Sequence, residues 1–374
     1  MALFPDLDRD LAALGAASRR RVLAPRTGRD FASNDYLGLA SSPRLAAAID
    51  GALTRGVPVG SGGSRLLRGN HPEHQALEAE AAAFFGSESA LYLSSGYAAN
   101  AMLFETLPQR GDLIVYDELI HASAHEGMRL SRASSHPATH NDITAFEDVI
   151  SSWRRQGGIG RPWIALESLY SMDGDQAPLP GFAELADRTG AILLIDEAHA
   201  TGVFGAHGRG LSAAMASRDN VVSLHTCGKA LGCEGALIAG PAIVTDFLVN
   251  RGRAFIFSTA PSPLMAAAVR ESLRILQDEP ERRERLDALV AHAHRLLVPA
   301  GARATGSQIL PLVLGDDART MHVAAALQAQ GFDVRGIRPP TVPAGTSRLR
   351  ISLTLNVSFD DVAALAQALT GEAQ

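Results

Sequence analysis

A lysine flanked by glycines is the residue of this sequence best suited to covalent chemistry. Lys229 follows Gly228 and stands shortly before Gly232, after an apolar stretch. A lysine that is held deprotonated in a desolvated site can form a Schiff base with a carbonyl compound. A lysine taken alone is more often a solvated surface residue. The interpretation of Lys229 therefore depends on its partners.

The first such partner is an acidic residue at the end of an apolar run. Asp196 follows residues 191–195 and precedes Glu197, Ala198 and His199. A carboxylate at the carboxyl end of a buried parallel strand lies where open α/β sheets bind ligands. Burying it is costly unless it meets a cation, and the protonated pyridine nitrogen of a cofactor is one such cation. A structural capping role for Asp196 remains the alternative.

The same acidic box resembles the metal-binding motif of a helicase-type ATPase, which is a rival interpretation. Such an ATPase also needs the phosphate loop GxxxxGK[ST]. The GK pair of this chain is Gly228-Lys229, which is followed by Ala230, and Ser223 stands where the first glycine should be. The sequence therefore argues against an ATPase.

A second glycine-containing segment could bind a phosphate. Gly96 and Tyr97 come after a predicted strand at residues 90–93 and open a predicted helix. The free N–H groups and the positive end of a helix N-terminus suit an anion. An ordinary N-cap formed by Ser95 is the alternative.

The pattern of apolar runs predicts the fold that must position these residues. Runs at residues 113–116, 163–166 and 191–195 are each followed by polar residues and a helical stretch. Buried strands that alternate with helices indicate a mainly parallel sheet in an α/β domain.

The two ends of the chain have different patterns. Leucines at helical spacing predict a short N-terminal helix that ends near Gly15, and a long charged helix at 272–299 precedes short strands at 309–314 and 349–353. We therefore predict an N-terminal arm at residues 1–37, a large α/β domain at 38–265 and a smaller α+β domain at 266–374.

Composition excludes several classes of function. The formal net charge is −6 over 374 residues and no block of five like charges occurs, so neither nucleic acid nor an anionic membrane is an expected partner. The two cysteines match no zinc pattern, and His121 and His125 lack a third ligand, so no metal is expected. The same two cysteines favour a reduced cytoplasmic setting. Acidic residues near the N-terminus and the lack of a long apolar run predict a protein without a signal peptide or a membrane span.

Six motifs together resemble the α-oxoamine synthases, a family of pyridoxal-phosphate enzymes of fold type I. They occur in the family's order and span nearly the whole chain: SNDYLG at 33–38, GSGGS at 60–64, HAS at 121–123, SMDGD at 171–175, DEAH at 196–199 and TCGK at 226–229. The resemblance implies pyridoxal 5'-phosphate as the cofactor and acyl transfer as the activity. It also implies a large mainly parallel domain with a smaller C-terminal domain.

The resemblance further implies a role for each matching residue. Lys229 would form the Schiff base, and Asp196 would pair with the pyridine nitrogen. The other implied cofactor contacts are His121 on the ring face, His199 and Ser171 at the phenolic oxygen, and Gly96, Tyr97 and Thr226 at the phosphate. In the homodimer that the family forms, Ser258 and Thr259 would complete the phosphate site of the neighbouring subunit.

The C-terminal segment indicates which substrates to expect. Residues 338–350 resemble the family members that condense L-alanine with a pimeloyl thioester of coenzyme A or of a carrier protein, with loss of carbon dioxide. Asn34 and Arg350 would bind the amino-acid carboxylate, and Thr341 and Arg19 would contact the acyl substrate. Two alternatives remain. One is a relative that uses glycine, and the other is a non-catalytic partner or regulator, which would typically lose the lysine.

Overall fold

A computed structural model describes residues 3–372 of the chain. Its helices are α1 Pro5–Ala16, α2 Pro43–Thr54, α3 Pro72–Phe85, α4 Gly96–Thr106, α5 Ala122–Leu130, α6 Ile143–Arg155, α7 Leu179–Thr189, α8 Ala242–Arg251, α9 Arg253–Ile256, α10 Pro263–Asp278, α11 Glu281–Leu297, α12 Asp317–Ala329 and α13 Phe359–Glu372. Its strands are β1 Arg29–Asp30, β2 Ser89–Leu93, β3 Leu113–Asp117, β4 Ser134–Ala138, β5 Pro162–Glu167, β6 Ile192–Asp196, β7 Val221–Thr226, β8 Ala236–Gly240, β9 Ile309–Gly315, β10 Phe332–Asp333, β11 Arg335–Ile337 and β12 Ser347–Ser352.

The chain separates into two compact units. One unit comprises the residues up to Tyr36, the short segment Met172–Asp175 and the residues from Glu284 onward, and the other comprises Leu37–Ser171 with Gln176–Arg283. The three predicted domains, with boundaries after residues 37 and 265, remain a prediction.

The larger unit is built on a seven-stranded sheet with the order β2-β8-β7-β6-β5-β3-β4. β8 is antiparallel to both β2 and β7, and the remaining pairs are parallel. Successive strand residues point to opposite faces. Accordingly Leu193 and Ile195 join the buried cluster on one face, whereas Leu194 joins the cluster on the other. The predicted mainly parallel α/β sheet is confirmed.

The sheet brings its polar strand ends to one edge. Asp117, Glu167, Asp196 and Thr226 are the last residues of β3, β5, β6 and β7. Glu167 and Asp196 are register partners on neighbouring strands. Because these strands are parallel, their carboxyl ends form a single edge, which is where α/β sheets bind ligands.

The smaller unit contains a three-stranded antiparallel sheet with the order β11-β12-β9. A buried cluster that includes Leu310, Leu349 and Leu365 packs this sheet against its helices. The predicted strands near residues 309–314 and 349–353 are present as β9 and β12. The predicted single helix at 272–299 is wrong. The chain forms α10 and α11 instead, with Pro280 in the break between them, because proline disrupts the interior of a helix.

The N-terminal helix α1 matches the helix predicted to end near Gly15, but none of its residues is buried. Leu7 is 61% exposed and Leu11 is 40% exposed. No helix within the described residues is long and apolar enough to cross a membrane.

A glycine sets the distance between α4 and α5, the helices that flank the candidate site. A Cβ at Gly127 of α5 would overlap the carbonyl oxygen of Ala101 and lie 2.8 Å from Cβ of Phe104, both in α4.

We expect Gly127→Ala to lower the free energy of unfolding by about 1–3 kcal/mol, as overpacking does. Urea unfolding measures this change. Gly15→Ala in α1 is the control, because a Cβ there meets nothing within 4 Å, and it should cause no loss. Equal stability of the two variants would contradict the close packing of α4 and α5.

Candidate active site

Asp196 lies at the centre of the polar sheet edge and is 9% exposed. Its Oδ1 accepts a hydrogen bond of 2.9 Å from the Ala198 backbone N–H, and its Oδ2 accepts one of 3.0 Å from Nδ2 of Asn100. Donors from two elements thus fix the orientation of the carboxylate. A fixed, buried carboxylate at this edge is suited to pair with a cation.

Lys229 lies in the turn that follows β7 and is partly buried. Its Nζ is 2.8 Å from Nε2 of His199, which is buried. The structure thus brings together two residues that the sequence predicts for the same site. Lys229 is moreover the only lysine in the sequence, where every other residue with a permanently cationic side chain is an arginine. This composition is a signal in the sequence that supports a special role for Lys229, beyond the motif that predicts it.

His121 precedes α5 and caps it. Its Nδ1 accepts from the Ser123 backbone N–H at 3.2 Å and lies 2.8 Å from the Ser123 Oγ. Burial lowers the pKa of His121; the negative charge of Asp196 opposes this, and the positive charge of Lys229 adds to it. His121 is nevertheless exposed by surface area. The charges of Asp196 and Lys229 thus both act on His121, so the three groups lie near one another.

The predicted phosphate residues also come together. Gly96 is the first residue of α4, and a Cβ there would lie 3.4 Å from Oγ1 of Thr226 at the end of β7. Tyr97 is 52% exposed, and its ring lies edge-on to His121 with centroids 6.5 Å apart. The Ser95 Oγ accepts from the Ala98 backbone N–H at 3.1 Å, so the N-cap weighed as the alternative is also present. The helix N-terminus therefore opens beside Thr226.

Ser171 is adjacent to the carboxyl group of Glu167, which is not among the residues predicted for the site. The Ser171 backbone N–H donates to Glu167 Oε2 at 3.0 Å, whereas Glu167 Oε1 is buried and accepts no hydrogen bond from the described residues. Burial, with the negative charge of Asp196 on the neighbouring strand, raises the pKa of Glu167 to about 8. Its position after the apolar run 163–166 was a usable signal, since it matches that of Asp196.

The two residues predicted to act across the dimer lie in the loop after α9. The Ser258 Oγ donates to the Thr259 carbonyl at 3.4 Å, and Thr259 is exposed. The next residue, Ala260, donates its backbone N–H to the carbonyl of Gly63 in the glycine-rich segment 60–64. These residues are thus held beside that segment.

The predicted substrate residues belong to the smaller unit, where they form two groups. In the first group, Tyr36 donates its hydroxyl to Asn34 Oδ1 at 3.1 Å, and Arg350 Nη2 donates to the Tyr36 hydroxyl at 3.4 Å. Arg350 is buried and also donates to Ser352 Oγ at 2.6 Å. Tyr36 therefore links the two residues predicted to bind the amino-acid carboxylate.

The second group involves the arginine-rich segment at residues 19–21. The Arg19 Nε lies 2.7 Å from Oδ2 of Asp317, which holds the Arg19 side chain in an ion pair. Arg21 rather than Arg19 reaches Thr341, with Nη2 3.4 Å from its Oγ1.

Within the described residues, no group of three or more His, Cys, Asp or Glu side chains could hold a metal ion.

Comparison with known proteins places this arrangement in a family. The family model described as aminotransferase class I and II matches residues 27–369. The chain belongs to this family. It is 44% identical over 362 residues to the 8-amino-7-oxononanoate synthase of Anaeromyxobacter dehalogenans, covering 92% of this chain and 89% of that protein. It is 43% identical over 385 residues to the enzyme of the same name from Aromatoleum aromaticum, covering 98% of both chains.

Two solved structures resemble the chain in backbone over nearly its whole length. The serine palmitoyltransferase of S. paucimobilis with a bound PLP-myriocin aldimine matches 100% of this chain and 98% of its own, with a TM-score of 0.90 and 26% identity. The 8-amino-7-oxononanoate synthase of Francisella tularensis matches 92% of this chain and 98% of its own, with a TM-score of 0.78 and 27% identity. The predicted α-oxoamine synthase family, fold type I, pyridoxal 5'-phosphate and acyltransferase activity are confirmed.

The raised pKa of Glu167 predicts a dependence of stability on pH. Between pH 4.5, the ordinary value, and about 8, the folded chain retains a proton that the unfolded chain releases, so the free energy of unfolding falls as pH rises through this window. Glutamine cannot ionise. We therefore expect Glu167→Gln to gain stability relative to the original chain between pH 5 and about 8.5, as measured by urea unfolding. Glu184→Gln, at an exposed site in α7, is the control and should follow the original chain. Parallel pH profiles for Glu167→Gln and the original chain would contradict a protonated Glu167.

Proposed function

We propose that this pyridoxal-phosphate acyltransferase joins L-alanine to a pimeloyl thioester in a step of biotin synthesis. The products would be 8-amino-7-oxononanoate, carbon dioxide and the free thiol of coenzyme A or a carrier protein. The observation that carries this proposal is the identity of about 44% with enzymes named 8-amino-7-oxononanoate synthase over nearly the whole chain. The segment 338–350 supports the same assignment.

The residues at the sheet edge fit the cofactor. A buried, doubly hydrogen-bonded Asp196 suits a protonated ring nitrogen, and the start of α4 beside Thr226 suits a phosphate. His121 is proposed to stack on the ring. Ser171 and His199 are proposed to lie at the phenolic oxygen. Gly96 and Tyr97 are proposed to complete the phosphate contacts.

Lys229 is proposed to hold the cofactor and to act as the base. When bound, pyridoxal phosphate supplies an electron-withdrawing ring that makes the α-proton of the amino acid acidic. Asp196 is proposed to keep that ring protonated. As a free amine, Nζ of Lys229 would take the α-proton of the amino acid, and the 2.8 Å contact with Nε2 of His199 would help to hold this Nζ in place. The other groups thus position a single reacting amine.

A homodimer is part of the proposal. Ser258 and Thr259 are proposed to complete the phosphate site of the neighbouring subunit, and the exposure of Thr259 supports this assignment.

The two groups of substrate residues are proposed to bind the two substrates. The buried Arg350 with Asn34, linked through Tyr36, would bind the carboxylate of L-alanine, since a guanidinium matches a carboxylate. Thr341 and the segment that contains Arg19 would contact the acyl chain. The Arg19–Asp317 ion pair and the Arg21–Thr341 contact favour Arg21 as the residue of this segment that reaches the substrate.

The backbone likeness to serine palmitoyltransferase raises a second candidate, a relative that uses serine. Its TM-score of 0.90 exceeds the 0.78 of the Francisella enzyme, but both are only 26–27% identical to this chain. The relatives at 42–44% identity carry the name 8-amino-7-oxononanoate synthase. Sequence identity therefore favours L-alanine, and the likeness in backbone reports the shared fold.

The substrate assignment predicts strong discrimination between acyl donors. Several buried methylenes plus one ionic contact are worth about 3 kcal/mol, so a pimeloyl thioester should exceed an acetyl thioester by at least ~100-fold in kcat/KM. Alanine should exceed glycine and serine as the acceptor. The measurement is product identification by mass spectrometry, with kinetics for each pair, using coenzyme A and carrier-protein thioesters in parallel. A preference for acetyl-CoA with glycine, or for a long-chain acyl-CoA with serine, would overturn the assignment.

A further inference from the structure

Two side chains, those of Asn100 and Ser123, connect His121 to Asp196 behind the candidate site. Asp196 Oδ2 and Ser123 Oγ each lie 3.0 Å from Nδ2 of Asn100. Ser123 Oγ in turn lies 2.8 Å from Nδ1 of His121. Asn100 is 3% exposed and Ser123 is 1% exposed. The two central members of the chain are thus sealed from solvent, so each must satisfy its hydrogen bonds within the protein.

The directions of these hydrogen bonds can be assigned from chemistry. A carboxylate only accepts, so Asn100 must turn its NH₂ group rather than its oxygen toward Asp196. The second hydrogen of that NH₂ group then faces Ser123, whose oxygen accepts it. The Ser123 hydroxyl hydrogen is left to be donated to Nδ1 of His121. The Ser123 backbone N–H, which can only donate, points at the same nitrogen from 3.2 Å.

We infer that Asn100 and Ser123 are positioning residues that hold His121 as the neutral tautomer with its proton on Nε2. Two donors converge on Nδ1, so a proton on that nitrogen would face an N–H group and an O–H group. His121 therefore presents Nε2–H as a hydrogen-bond donor and is not a base at Nδ1. The inference rests on the proposed function in one respect: the Nε2–H group of His121 would face a bound substrate or cofactor. The proposed role of Lys229 as the base is consistent with it.

The charged and titratable groups around His121 shift the equilibrium between its neutral form and the imidazolium in both directions. Asp196 at the end of β6 favours the imidazolium, whereas Lys229 after β7 and His125 in α5 disfavour it, and burial is the largest influence. The ring of Tyr97 in α4 lies edge-on to the imidazole. The hydrogen bonds to Nδ1 favour the neutral form in addition, because they are lost when that nitrogen is protonated.

The test is nitrogen NMR of the holoenzyme labelled with ¹⁵N-histidine, repeated on the cofactor-free protein. His121→Asn identifies the resonances of His121 among the 12 histidines. We expect an unprotonated Nδ1 and a protonated Nε2 near neutral pH. This measurement needs no substitution of Asn100 or Ser123, so it tests the proposal even if such variants fold poorly. A proton on Nδ1 in the original chain would overturn the inference.

Two variants test whether the residues act in series. Ser123→Ala removes one donor to Nδ1 and should raise the pKa of His121 by about one unit. Asn100→Ala frees the Ser123 hydroxyl to rotate and should raise it in the same direction. The double variant should shift the pKa of His121 by less than the sum of the two single shifts, because Asn100 acts on His121 mainly through the Ser123 hydroxyl. Additive shifts, or no shift in either single variant, would contradict the proposed action of Asn100 through Ser123.

The helix provides two controls. Ser131→Ala removes a hydroxyl at the opposite end of α5, where Oγ accepts from the Ala133 backbone N–H, and should leave His121 unchanged. The titration of His125 should change far less than that of His121 in every variant, because the two imidazoles are coupled only through their charges. A shift at His125 as large as that at His121 would indicate that α5 itself has moved. The identity of the preferred amino acid and thioester does not enter these measurements. A failure of the tautomer assignment is therefore distinguishable from a failure of the substrate assignment.

Discussion

The structure depends on the burial of carboxyl groups at the carboxyl edge of one sheet. Parallel strands bring Asp117, Glu167 and Asp196 to neighbouring strand ends, where burial disfavours the charge on each. Asp117 keeps its charge by hydrogen bonding: burial alone would raise its pKa, but the bonds from His140 and from two backbone N–H groups lower it. Asp196 receives donors from Asn100 and Ala198. Within the described part of the chain, Glu167 receives only the Ser171 N–H, and burial raises its pKa.

The elements around the sheet are arranged to satisfy this edge. α4 begins beside Thr226 and carries Asn100, and α5 begins with the cap of His121 and carries Ser123. The two helices can approach closely because Gly127 has no side chain. The contact between α4 and α5 therefore sets the distance across which Asn100 reaches Ser123, so helix packing helps to fix the groups at the sheet edge.

Residues with a local signal could be predicted from the sequence. Asp196 and Lys229 each follow an apolar run, and Lys229 also stands out as the only lysine of the chain. Asn100 has no such signal. It lies inside a helix, and its partner Asp196 is 96 positions away, so only the fold brings them together. The predicted roles of the individual site residues remain proposals.

Among the elements, β4 was missed because its five residues Ser134–Ala138 are mostly polar or exposed, as suits an edge strand. The antiparallel β8 is as apolar as its neighbours, and nothing in its composition indicates its direction. The break between α10 and α11 could have been predicted, because Pro280 lies in it.

The most direct test of the account is to find where the cofactor is attached. Borohydride reduction of the yellow holoenzyme, followed by intact-mass measurement and peptide mapping, should show one phosphopyridoxyl group per chain, on the peptide that contains Lys229. Because Lys229 is the only lysine, the N-terminal amine is the only other amine that could form the same bond, and Lys229→Arg should abolish the labelling. Labelling at the N-terminus, or a reduced protein without added mass, would contradict the central role of Lys229.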